Sequence, residues 1–138
     1  MEGNGLSLRV TERDGDYLGV ELTAWNTRYA GTTFLYLDHN ELDMFADAIA
    51  DYPADAGDER SYEFGVRGQA YAGGYCRLHF RSAVTGMISL GVTIEDAGNR
   101  HQSAQAEFSI EVEPARLDRF VESLHAVGRG KRGESVLG

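Results

Sequence analysis

Four histidines (His39, His79, His101 and His125), one cysteine (Cys76) and an acidic run holding Asp51, Asp55, Asp58 and Glu59 carry the chemistry of metal binding, nucleophilic attack or proton transfer. Their spacing organises none of it. No two histidines stand four residues apart and no second cysteine completes a Cys-x-x-Cys pair, the spacings that bring ligands together around zinc. The acidic run lacks the D-x-D-x-D-G register and closing glutamate of a calcium loop. Neither a Gly-x-Ser-x-Gly elbow nor a phosphate-cradling loop ending in Gly-Lys-Ser/Thr occurs. Gly128-Arg129-Gly130-Lys131-Arg132-Gly133 does spell the Gly-x-Gly-x-x-Gly of dinucleotide sites. That motif works only between a strand and a helix N-terminus, where aligned N–H groups meet the pyrophosphate, and only five residues follow it here. The spacing therefore predicts no metal, no cofactor and no catalytic residue, and leaves Glu21, Glu107 and Glu111 as carboxylates whose convergence depends on the fold.

Binding is the chemistry that the spacing does offer. Arg77, His79 and Arg81 alternate with apolar residues, which puts all three on one face of one strand as a basic stripe. Trp25 adds a large ring to the same class of outward positions. Arg28-Tyr29 and Arg100-His101 stand at corresponding places in two hairpins, each a cation beside a ring, and Arg and Tyr are enriched where binding energy concentrates. These eight residues form the candidate binding set. A solvated sheet face laced by Arg–Glu pairs is the alternative reading of the stripe. Cys76 falls at an apolar position of the strand and is expected in the core.

The elements that must position these side chains follow from periodicity. Period-two alternation predicts strands over Leu6–Val10, Leu18–Ala24, Cys76–Phe80, Ile88–Ile94 and Ala106–Val112, separated by Gly-, Asn- and Asp-bearing turns. Leu42, Phe45, Ala46 and Ile49, and again Leu117, Phe120, Val121 and Leu124, share one face of a 3.6-residue period and predict two helices. Asp38 or Asn40 suits the first N-cap, Pro114 the first turn of the second helix, and Gly128 its end. Leu18-Gly19-Val20-Glu21-Leu22 is answered about 72 residues later by Leu90-Gly91-Val92-Thr93-Ile94, and Leu42-Asp43-Met44-Phe45 about 75 later by Leu117-Asp118-Arg119-Phe120. The prediction is an α+β domain over residues 1–127. It is internally duplicated into β-β-β-α copies at 6–51 and 75–127, with an extra strand at 61–67. The economical arrangement has the copies completing one mainly antiparallel sheet with two helices on one face, two sheets being the alternative, and 128–138 trails as a flexible basic tail. Thr32–Leu37 is apolar on both faces, with Phe34 and Tyr36 against Leu35 and Leu37. It is either a central strand covered on both faces, as by a dimer partner, or an exposed apolar patch beside Trp25.

Composition narrows the function classes. A chain of 138 residues with 42% hydrophobic and 25% charged residues suits one globular domain. A net charge of -9 disfavours nucleic acid and anionic membranes and makes a basic partner the expectation. Met1-Glu2-Gly3-Asn4 has no signal-peptide character, no apolar run approaches a membrane span, and a lone cysteine fits a reducing compartment, so a cytoplasmic location is expected. The strand-rich start, the final alternating strand and the closing Leu117-Asp118-Arg119-Phe120-Val121-Glu122-Ser123-Leu124 helix together resemble small bacterial immunity proteins of the WapI type and related families. That resemblance implies a cytosolic antidote that binds a toxin domain, and it brings no catalytic residues. The expectation is a non-catalytic binding protein that acts by protein–protein contact through the outer sheet face and hairpin tips. A small-ligand-binding domain or enzyme, and a structural homo-oligomer such as a homodimer, are the alternatives.

Overall fold

The computed structural model describes residues 3–65, 73–96 and 104–138. Along the chain these form β1 (Gly5–Arg13), β2 (Leu18–Trp25), β3 (Ala30–Leu37), α1 (Glu41–Ile49), β4 (Glu59–Phe64), β5 (Tyr75–Ser82), β6 (Ile88–Asp96), β7 (Ala104–Val112), α2 (Pro114–Gly128) and β8 (Glu134–Leu137). The class is α+β, as the periodicities predict. The expected strand at 61–67 is β4, and its end from Val66 on lies outside the described residues. No helix among the described residues is long and apolar enough to cross a membrane.

The strands build two antiparallel sheets rather than one, in the orders β3-β2-β1-β8 and β4-β5-β6-β7. The same order of elements, three strands, a helix and a strand, occurs twice along the chain. One way to join the two meanders into one sheet is for β1 to pair with β5. Each edge is instead filled by the strand that follows a helix: β4 adds to β5, and β8 returns to β1. An edge that is already hydrogen-bonded cannot template a second pairing.

The supposed flexible tail is thus structural. Gly130 takes the left-handed conformation at φ 77° that ends a helix with little steric cost. The Lys131 N–H donates to Ala126 O at 2.9 Å and the Gly130 N–H to Val127 O at 3.1 Å, closing α2, whose last residue is the expected Gly128. Gly128 itself lies in the helix, where its bare backbone faces Leu42 and Asp43 of α1. The chain then pairs Leu137 with Leu6 and Ser135 with Leu8, and both Leu137 and Ser135 are fully buried. At the other helix, Asn40 holds the N-cap position of α1 without a side-chain cap bond.

One core joins the two sheets and both helices. Phe45 of α1 is its hub, with ring centroids 4.9 Å from Tyr62 and from Phe64 of β4 and 6.1 Å from Phe120 of α2. Two arginines finish the helices by donating to carbonyls that have no partner within the helix. Arg13 reaches Val127 O at 2.7 Å, and Arg60 reaches Ala50 O at 2.8 Å. The sheets also touch through polar groups: the buried Thr33 hydroxyl donates to Glu95 O at 2.9 Å, and the Gly74 N–H to Phe34 O at 2.7 Å. A Cβ on Gly74 would collide with Thr33, so this approach of backbone to β3 requires glycine.

Candidate functional site

Because the chain makes two sheets, the single outer platform expected from the alternation divides into two faces. Arg77, His79 and Arg81 do share the outer face of β5, as their spacing requires, and both arginines are exposed. Antiparallel register sets Glu63 opposite Arg77, Ser61 opposite His79 and Glu59 opposite Arg81, so carboxylates flank the cations from β4. The stripe is therefore mixed in charge. His79 is held at both ring nitrogens: Nδ1 lies 2.6 Å from Ser61 Oγ and Nε2 3.2 Å from Glu59 Oε1. This serine–histidine–carboxylate connectivity has the order of a proton relay. It lies on an open sheet face, whereas acyl transfer also needs donors aimed at a developing oxyanion and a wall that excludes water. The sequence reading missed Ser61 and Glu59 because only the β4–β5 register brings them to His79.

Trp25, Arg28 and Tyr29 belong to the other sheet and its β2–β3 turn. The Trp25 ring lies over Gly5, where an added Cβ would sit 2.3 Å from ring carbon Cζ2, so the ring is half-buried rather than displayed. Asn26 shapes the turn: its Oδ1 accepts from the Arg28 N–H at 2.8 Å and the Tyr29 N–H at 2.7 Å, and its Nδ2 donates to Ser109 O at 3.0 Å. That last bond carries the turn onto β7, where Tyr29 stacks on Phe108 at 6.4 Å. Arg28 remains exposed. Arg100 and His101 lie outside the described residues.

A third cluster, which the candidate set did not include, is an exposed aromatic surface on β3. β3 is the outer strand of its sheet, not a central one. Leu35 and Leu37 point into the core at 1% and 2% exposure, whereas Phe34 and Tyr36 are 49% and 55% exposed on the other side. Tyr17 meets Tyr36 edge to face, with centroids 5.3 Å apart and planes at 88°. Its hydroxyl donates to Glu12 Oε1 at 2.8 Å. This bond and the surrounding negative charge push the Tyr17 phenol up to about 12. Gly19 separates Tyr36 from Glu12 in register, and its missing side chain leaves the lane that Tyr17 spans. The next lane runs Phe34, Glu21, Arg9 and Glu134, with Arg9 paired to Glu21 at 3.0 Å.

Several of the remaining reactive groups are built into the fold, while His39 is exposed after β3. Cys76 is fully buried and its thiol is pushed up to about 12 by burial. In the acidic loop, Arg60 grips both Asp58 oxygens at 3.2 and 2.8 Å, and Ala54 N–H donates to the same carboxylate at 2.8 Å. These bonds hold the Asp58 carboxyl below its ordinary range. His125 links the helices, with Nδ1 2.5 Å from Asp43 and Nε2 3.4 Å from Asp47. Among the described residues, no group of three or more His, Cys, Asp or Glu side chains is placed to hold a metal ion. Two shallow grooves of about 380 and 440 Å³ meet at Arg132 and Gly133, the first beside the end of β1 and the second between α2 and β8. No protein-family model, curated protein or solved structure matches the chain.

Proposed function

We propose that this protein is a non-catalytic, immunity-like binding module that acts by protein–protein contact, with the outer face of β2 and β3 as its docking surface. The observation that carries this reading is the pair Phe34 and Tyr36, two large rings left half in water on one strand whose opposite side is fully buried. Adjacent exposed aromatics of this kind mark interaction surfaces, and tyrosine is among the residues that concentrate binding energy. The patch is also preorganised. Leu35 and Leu37 fix β3 from below, and Gly74 holds its backbone from the side. Little conformational entropy then remains to be lost on binding.

The reading carries with it a cytoplasmic location, in keeping with a lone buried cysteine, and an internal duplication, supported by the recurring element order. The experiment that tests it is capture of partners from the host's lysate and secreted fraction by wild type and by Phe34→Ala/Tyr36→Ala. Truncation at an interface centre commonly costs about 2 kcal/mol, or roughly thirtyfold in affinity, per hot-spot residue. A protein retained by wild type and lost from the variant is the expected result. Equal retention by a variant with an unchanged thermal melt rejects this surface. The same patch is open to a second copy of the chain, and light scattering across a concentration series distinguishes that homodimer from a monomer awaiting a different partner.

A further inference from the structure

We infer that the occupant of the Phe34–Tyr36 face is a basic polypeptide segment, whose arginine or lysine side chains seat against the rings of Phe34, Tyr36 and Tyr17. The inference rests on the docking surface proposed above and names the chemistry of its partner. Tyr17 and Tyr36 stand nearly perpendicular at 5.3 Å, so they present a corner of ring face and ring edge. A cation over a ring face is attracted by the negative face of the ring quadrupole, more strongly as water is excluded. Around this corner stand Glu12, held by the Tyr17 hydroxyl, and Glu21, opposite Phe34 in register. Asp14 and Asp16 lie in the turn that leads to Tyr17, and Asp38 directly follows β3; all three are exposed.

Two of the nearby cations among the described residues are already engaged, while Lys131 and Arg132 share a groove with Glu12 at the end of β1. Arg9 is paired with Glu21 at 3.0 Å, and Arg13 is turned away to donate to Val127 O. Among the described residues carboxylates still outnumber cations about the rings, in a chain of net charge -9. An apolar partner would strip water from these carboxylates without replacing its hydrogen bonds. An acidic peptide, a nucleic acid or an anionic membrane would be repelled. A guanidinium satisfies both parts of the surface at once, because it stacks on a ring while its edge donates to a carboxylate.

The test uses the full chain and two fluorescein-labelled probes of equal length, an oligo-arginine peptide and an uncharged Gly/Ser peptide, read by anisotropy at low and physiological salt. Wild type is expected to bind the arginine probe at least about tenfold more tightly than the uncharged one, with the gap narrowing as salt rises. Phe34→Ala/Tyr36→Ala leaves the charge unchanged, so a loss of about tenfold in that variant assigns the binding to the rings rather than to net charge. Phe34→Leu/Tyr36→Leu keeps an apolar strand face and is the second variant should the alanine pair melt early; it is expected to lose a similar factor. Glu12→Gln/Glu21→Gln is expected to weaken binding severalfold and flatten the salt dependence.

Arginine-probe binding that survives loss of both rings, or that is no tighter than binding of the uncharged probe, overturns the inference. If such a result accompanies a cellular partner whose capture still requires Phe34 and Tyr36, the docking surface stands and only its cationic occupant falls. If that capture is also insensitive to the rings, both readings fall.

Discussion

Leu35 and Phe34 are chain neighbours of similar hydrophobicity, and the structure assigns them opposite energetic roles. Leu35 is 1% exposed and Phe34 49%. Leu35→Ala removes three carbons from the core, worth about 2.4 kcal/mol at roughly 0.8 kcal/mol per methylene. The cavity left behind raises the expected cost to about 3–4 kcal/mol, within the range of buried Leu→Ala changes. Phe34→Ala removes a larger side chain that is already half in water and leaves no enclosed cavity, so its cost is about 1 kcal/mol or less. With an m-value of about 2 kcal/mol/M, the urea midpoint falls by about 1.5–2 M in the first variant and by no more than about 0.5 M in the second. Equal displacements, or the reverse order, would refute the face assignment of β3, since a one-residue slip exchanges the two faces. A Phe34→Ala cost that grows with protein concentration would instead show that a second copy covers the ring.

Other consequences are equally open to measurement. Leu137→Ala should destabilise by about 2–4 kcal/mol in urea titration, because it empties a fully buried site where β8 joins β1; a frayed tail would give no change. The Asp58 carboxyl is held below its ordinary value of 3.8 by the bonds from Arg60 and Ala54, so its contribution to stability is complete above that value and lost as pH falls through the lower, folded one. Asp58→Asn should therefore show a smaller fall in urea midpoint than wild type on acidification below about pH 4, and parallel profiles would contradict this. Cys76, buried and with its thiol at about 12, should resist a disulfide reagent at neutral pH in the native protein and react at once in denaturant. Rapid native labelling would mean that β5 opens readily to solvent.

The parts of the fold legible in the sequence are those in which a period persists long enough to show. Leu42, Phe45, Ala46 and Ile49 repeat at helical spacing, and all four are buried on α1; Leu117, Phe120 and Leu124 do the same on α2. Alternation likewise located β1, β2, β5, β6 and β7 to within a few residues. It failed at β8, whose four residues send only Ser135 and Leu137 inward, too few to establish a period. It was silent on Phe34 against Leu35, because a pattern in which both faces are apolar does not say which of them meets the core.

Composition and periodicity by themselves determined the α+β class, the two amphipathic helices, the burial of Cys76 and the common face of Arg77, His79 and Arg81, since each depends on spacing within one short segment. The division into two sheets, the return of β8 to β1, the Ser61–His79–Glu59 contact and the exposure of the Phe34–Tyr36 surface were decided only by tertiary structure. Alternation reports the two faces of a strand. Which neighbour occupies each of its edges is settled by hydrogen bonding between segments far apart in the chain, and local spacing holds no record of that pairing.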